Sequence, residues 1–210
     1  MRSILAALAL MLFVPVVMGA GQPPPQRYIA RSDEERAQLG RISDYLNSIK
    51  ELKGTFMQIE PNGDVSQGAI YIKKPGRVRF EYQTPNTNLI VCDGSSIYVL
   101  NRKLNTRDRY PLAGTPLDLI LSGDVDLRKN QSIMAVRKEG DSLIVDARSS
   151  DKRKKPNIQF VFTGANTELR QWTVIDDQGL STTVALRDML PANNLPDSLF
   201  APPDAPKAGK

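Results

Sequence analysis

The stretch from Gly68 to Gly94, G-A-I-Y-I-K-K-P-G-R-V-R-F-E-Y-Q-T-P-N-T-N-L-I-V-C-D-G, constrains this chain more than any other. It reads as three strands in a row, each ended by its own turn signal. Val78, Phe80 and Tyr82 alternate with Arg77, Arg79 and Glu81, so one face of the sheet is apolar and the other wet. On periodicity alone this describes half of an ordinary β-sandwich core. The rest of the chain argues against that.

Before this stretch, Ser32-Asp33-Glu34-Glu35 has the form of a capping box, and Leu39, Ile42, Leu46 and Ile49 follow at helical spacing with Tyr45 beside them. One amphipathic helix is expected here. Strand-like segments then run Leu52 to Glu60, Ser66 to Lys73, Arg77 to Gln83, Leu89 to Cys92 and Ser96 to Leu100, with turns at Pro61-Asn62-Gly63-Asp64, Pro75-Gly76, Thr84-Pro85-Asn86 and Asp93-Gly94. Thr115 as N-cap and Pro116 at the first helical position open a short helix through Leu117, Leu119, Ile120 and Leu121, apolar enough to require burial. Strands resume at Ile133 to Lys138, Leu143 to Ala147, Ile158 to Thr163, Leu169 to Ile175 and Ser181 to Leu186. This gives roughly ten or eleven antiparallel strands with no βαβ unit. A sheet of that size curls into a barrel or splits into two layers. If it curls around the helices, its concave face is either filled or open, and the binary pattern is the same in both cases.

The ends of the chain bear on compartment. Met1-Arg2, the apolar run Ile4 to Met18 and the small residues Gly19, Ala20 and Gly21 read as a secretory signal peptide over residues 1–20. The mature protein is therefore expected to be soluble and exported. Residues 21–31, led by Gln22-Pro23-Pro24-Pro25-Gln26, form an extended flexible lead, residues 32–200 a single domain, and residues 201–210 a disordered tail. No cysteine stands at the cleavage point to take a lipid. The single cysteine, Cys92, sits in an apolar run, where burial is expected. With no histidine and one cysteine, Ser-His-Asp and Cys-His catalysis and His-ligated zinc are excluded, and no metal site is expected. The net charge of +5 is spread over strand-face arginines and the run Lys152-Arg153-Lys154-Lys155, read as a charged hairpin tip. In an exported protein it does not imply nucleic acid.

Several elements together resemble the periplasmic outer-membrane lipoprotein carriers, the LolA family, over about Leu39 to Phe200. They are Phe56-x-Gln58, Gly68, Lys74-Pro75-Gly76-Arg77-x-Arg79-Phe80-Glu81-Tyr82, Pro85, Ile90-Val91-x-Asp93-Gly94, Thr115-Pro116-Leu117 and Leu169-x-x-Trp172. The resemblance implies an α+β, mostly β fold: an unclosed antiparallel barrel with a helical lid over a hydrophobic cavity. It implies a monomeric chaperone without cofactor that takes acylated lipoproteins from an inner-membrane releasing transporter to an outer-membrane acceptor. In the family an arginine before the proline of the turn between the second and third strands bonds to the lid backbone. Lys74 stands there, and an ammonium is not a planar bidentate donor. Arg77 and Arg79 are the other candidates, although alternation puts both on the wet face. Family members tend to have bulkier aromatics where this chain has Val78 and Phe80, and the low aromatic content suggests a wall more aliphatic than theirs.

On this reading acyl chains lie against Phe56, Ile70, Ile72, Val78, Phe80, Tyr82, Ile90 and Trp172, with Leu117 and Ile120 from the short helix and Lys74 controlling the lid. Alternation leaves Ile70 and Ile72 against Ala69 and Tyr71 to be chosen by hydrophobicity. A second reading keeps the fold and changes the cargo, to a glycolipid or phospholipid that is carried or sensed. A third, a hydrolase using Asp93 and Asp108, is disfavoured. Asp93-Gly94 is better explained as a hairpin turn, and Arg107 and Arg109 flank Asp108 and hold it ionised.

Overall fold

The computed structural model describes residues 31–148 and 158–204. The expected signal peptide, the lead up to residue 30, the Lys152-Lys155 run and the tail past residue 204 lie outside the described residues. The chain runs α1 (Asp33–Ser48), β1 (Glu51–Ile59), β2 (Val65–Lys73), β3 (Arg77–Tyr82), β4 (Asn88–Asp93), β5 (Ser96–Asn101), β6 (Thr106–Pro111) and α2 (Pro116–Leu121). It continues with β7 (Ile133–Glu139), β8 (Ser142–Ala147), β9 (Ile158–Thr163), β10 (Glu168–Ile175), β11 (Ser181–Pro191) and a 3-10 helix at Asp197–Phe200. All these strands join one antiparallel sheet in the order β6-β5-β4-β3-β2-β1-β11-β10-β9-β8-β7. The edge strands β6 and β7 do not pair with each other, so the barrel is unclosed. The two-layer sandwich is not what forms.

α1 begins where the capping box places it: the Ser32 hydroxyl accepts from the Glu35 N–H at 3.1 Å, and the Ser32 N–H donates to Glu35 Oε2 at 2.7 Å. Thr115 occupies the N-cap of α2 without capping it, since its hydroxyl donates back to the Leu112 carbonyl at 2.7 Å. β6 is the strand that the sequence pattern does not announce. Its residues T-R-D-R-Y-P show no run of apolar alternation, because an edge strand has little to bury.

The core lies on the concave face. Leu39, Ile42 and Leu46 of α1 and Ile120 and Leu121 of α2 are buried in one cluster with the inward residues of the strands. The convex face carries a second, smaller patch of buried side chains: Leu89, Val91 and Tyr98, with Phe200 of the 3-10 helix, which packs on β3 and β4. The segment after β11 is strapped over this face. Lys73 Nζ donates to the Leu195 carbonyl at 2.8 Å, Arg77 pairs with Asp197 at 2.8 Å, Arg79 donates to the Leu199 carbonyl at 3.2 Å and Arg107 to the Pro203 carbonyl at 2.7 Å. Arg77 and Arg79 thus serve the convex strap and not the lid.

Gly68 is a fixed point of the register. It stands opposite both Phe56 and Tyr82, and its missing side chain lets the two rings meet edge to face with centroids 4.9 Å apart. A Cβ there would approach the Phe56 ring to 2.8 Å and clash with the Glu81 carbonyl. Gly68→Ala is expected to lower stability by ~1–3 kcal/mol through this overpacking, read as an earlier urea midpoint at unchanged slope. An unchanged midpoint would mean that the rings do not close over this residue.

Candidate functional site

Period-two alternation turns Phe56, Ile70, Ile72, Val78, Phe80, Tyr82, Ile90 and Trp172 to the concave side, where all eight are buried in the one cluster. Ile70 and Ile72 face in and Ala69 and Tyr71 do not. From α2, Ile120 is buried in the same cluster and Leu117 packs partly buried against it. Registers link them across strands, Ile70 to Phe80 to Ile90 and Ile72 to Val78 to Cys92. Tyr82, Phe56, Phe80 and Trp172 form a chain of edge-to-face contacts at 4.9, 5.2 and 6.1 Å. The chain's few aromatic rings are concentrated on this wall. Phe160 and Phe162 on β9 join the same surface. Sequence reasoning misses these two, although I-Q-F-V-F-T shows the same alternation. Cys92 is buried among these residues, and burial pushes its thiol up to about 11.

The concave face is filled by its own side chains and by the apolar stripe of α1. Besides the burial of its apolar stripe, a small set of polar contacts fixes α1 there. Asn47 donates to the Val125 carbonyl and accepts from the Val125 N–H, both at 2.9 Å, and the Ser43 hydroxyl accepts from the Leu127 N–H at 3.0 Å. Arg31 donates to the carbonyls of Leu127 at 3.0 Å, Arg128 at 2.7 Å and Ile133 at 2.8 Å. Lys74 Nζ donates to the Leu46 carbonyl at 2.8 Å. That carbonyl is among the last four of α1, which have no partner within the helix, and the last turn of α1 carries no basic residue of its own. Lys74 therefore supplies both a hydrogen bond and the positive charge that a helix C-terminus favours. Two residues on, the Gly76 N–H donates to the Leu121 carbonyl at 2.8 Å, so one turn touches the ends of both helices.

Burial pushes the Lys74 ammonium down to about 8, and Lys50 acts in the same direction. At the other end of β1 the concave face becomes polar. The Tyr82 hydroxyl donates to Gln58 Oε1 at 2.7 Å, and Gln58 Nε2 donates to Glu60 Oε1. Burial raises the Glu60 carboxyl above its ordinary range. Asp93 accepts from the N–H groups of Ser95 and Ser96 at 2.9 and 2.8 Å, which accounts for it as a turn residue. Asp108 lies exposed on the edge strand β6.

A family model described as outer membrane lipoprotein carrier protein LolA matches residues 47–203. The outer-membrane lipoprotein carrier protein of Dechloromonas aromatica (strain RCB) is 28% identical over 171 residues, covering 77% of this chain and 81% of that one. The protein of the same name from Nitrosospira multiformis is 24% identical over 172 residues, covering 77% and 82%. Among solved structures, an uncharacterized conserved protein from Thermus thermophilus superposes with a TM-score of 0.49 at 16% identity, covering 80% of this chain and 96% of that one.

The ammonium of Lys74 titrates near 8 in the folded chain and at its ordinary 10.5 in the unfolded one. Between those values the unfolded chain holds more protons, so Lys74 adds to stability as pH rises through the window. In urea unfolding, the difference between wild type and Lys74→Met should move in favour of wild type from about pH 8 to 10.5. A difference independent of pH would show that the ammonium is not buried at the end of α1.

Proposed function

Because the chain belongs to the outer-membrane lipoprotein carrier family, LolA, we propose that it is a periplasmic chaperone that shields the acyl chains of lipoproteins on its concave face between an inner-membrane releasing transporter and an outer-membrane acceptor. The observation that carries this reading is an apolar concave wall covered by a helix held through a few polar contacts. Each methylene buried is worth ~0.8 kcal/mol, so an acyl chain does not cross water unshielded. In the closed state α1 and α2 occupy the place of the cargo. Cargo enters as the helices leave, with Phe56, Ile70, Ile72, Val78, Phe80, Tyr82, Ile90 and Trp172 as the wall and Lys74 as one hold on the lid. The reading rests on inward placement of these residues together with the family.

Native mass spectrometry of the mature protein with detergent-extracted lipoproteins tests this directly. A one-to-one complex that disappears when the acyl chains are removed is the expected result. Binding of free envelope lipid without lipoprotein would move the function to another amphiphile on the same fold.

The lid part of the reading has its own test. Asn47→Ala removes two hydrogen bonds from the closed state, each worth ~1 kcal/mol. Apparent affinity scales with the fraction of open protein, so the variant should bind an acylated lipopeptide about thirtyfold more tightly while melting earlier. Earlier melting with unchanged affinity would mean that opening does not pass through α1.

A further inference from the structure

Continuing inward from Phe56 at period two, β1 presents Gln58 and then, just past its end, Glu60. Both are enclosed, at 2% and 8% exposure. Gln58 is engaged at both its oxygen and its nitrogen, accepting from Tyr82 and donating to Glu60 Oε1. The chain of bonds stops at Glu60 Oε2, which is buried without a partner among the described residues. On the adjoining strand β11, Thr183 pairs with Ile59, so Thr182 falls beside Glu60 on the inward face. Thr182 is 1% exposed, and its Oγ1 also lacks a partner among the described residues.

Neither oxygen makes a hydrogen bond among the described residues. Leaving such a group unmet costs ~1–3 kcal/mol, and buried polar atoms are as a rule satisfied. Nor does an apolar chain satisfy them, since methylenes neither donate nor accept. The two groups differ in capacity: a carboxyl oxygen accepts, whereas a hydroxyl both donates and accepts. A secondary amide lodged between them complements both, because its N–H and carbonyl point to opposite sides, the one to Glu60 Oε2 and the other to the Thr182 hydroxyl. An ester of the same length offers only acceptors and leaves Glu60 unmet. The position also suits an amphiphile. Phe56 and Tyr82 of the apolar wall adjoin the pair, so a chain lying along the wall brings its polar linkage to this end.

We propose that Glu60 and Thr182 form a polar subsite at the end of the concave wall that holds the secondary amide of an N-acylated amphiphile. The subsite rests on the carrier reading, and it makes the site selective for amide-linked over ester-linked chains.

The test compares N-methylpalmitamide with methyl palmitate, equal in acyl length, as competitors for a fluorescent fatty-acid probe bound to the mature protein. Wild type should favour the amide about tenfold, the scale of one hydrogen bond to a buried carboxyl. In Glu60→Leu and in the isosteric Thr182→Val the affinity for the amide should fall toward that for the ester. Glu60→Gln, which keeps an acceptor oxygen, should retain part of the preference. Melting curves check that each variant folds; if Glu60→Leu does not, Thr182→Val carries the comparison. Equal affinities in wild type, or a preference that survives both Glu60→Leu and Thr182→Val, would overturn the subsite and leave Glu60 Oε2 to a buried water. If wild type binds neither chain, the carrier reading falls and the subsite with it.

Discussion

The fold depends on covering one concave apolar face that the sheet cannot cover by itself. Eleven strands curl far enough to create an inside but not far enough for β6 to reach β7. A closed barrel would satisfy its own edges. Here the interior is completed by α1 and α2, and Leu39, Ile42 and Leu46 become part of the core although they belong to no strand. The hydrophobic effect is indifferent to which apolar group fills the space. On the proposed carrier reading the completing element is removable, and the face it completes is one that something else can complete.

The two faces of the sheet are fastened in different ways. On the convex side, Lys73, Arg77, Arg79 and Arg107 hold the segment after β11 across several strands, over the buried Val91, Tyr98 and Phe200. On the concave side, the contacts of α1 are a few bonds from Arg31, Ser43, Asn47 and Lys74, mostly to backbone groups of one loop. A single ammonium bond from Lys74 aims less strictly than a bidentate guanidinium. It still answers an electrostatic need at a helix end without a basic residue of its own.

Much of this is legible in the sequence, for a physical reason. Period-two alternation in R-V-R-F-E-Y and the spacing of Leu39, Ile42 and Leu46 report burial directly, so Val78, Phe80 and Tyr82 and the helix facing them can be read from the sequence. The capping box is a local bond, and local bonds show in local sequence. β6 stays hidden because an edge strand has no apolar face to betray it, and the convex strap because most of its anchors are backbone carbonyls, which every residue carries. The acceptor for Lys74 escapes for the same reason: the family pattern picks out position 74, but no side chain marks the Leu46 carbonyl. Glu60 passes as the polar end of a hairpin, although it stands in phase with Phe56 and Gln58.

Energetic balance decides whether a lid of this kind can work. Exposing Leu39, Ile42 and Leu46 costs ~1.5–3 kcal/mol each. Opening into water therefore costs ~5–9 kcal/mol before any hydrogen bond is counted, and the open state is rare. About ten methylenes of an incoming chain return ~8 kcal/mol, so an exchange of helix for cargo is close to neutral where opening alone is not. The polar contacts then gain a weight out of proportion to their number, because near neutrality ~1 kcal/mol at Asn47 or Lys74 shifts the balance several-fold. On the proposed carrier reading, loading and unloading of one concave face require that condition: tight shielding in transit with little net free energy holding either occupant in place.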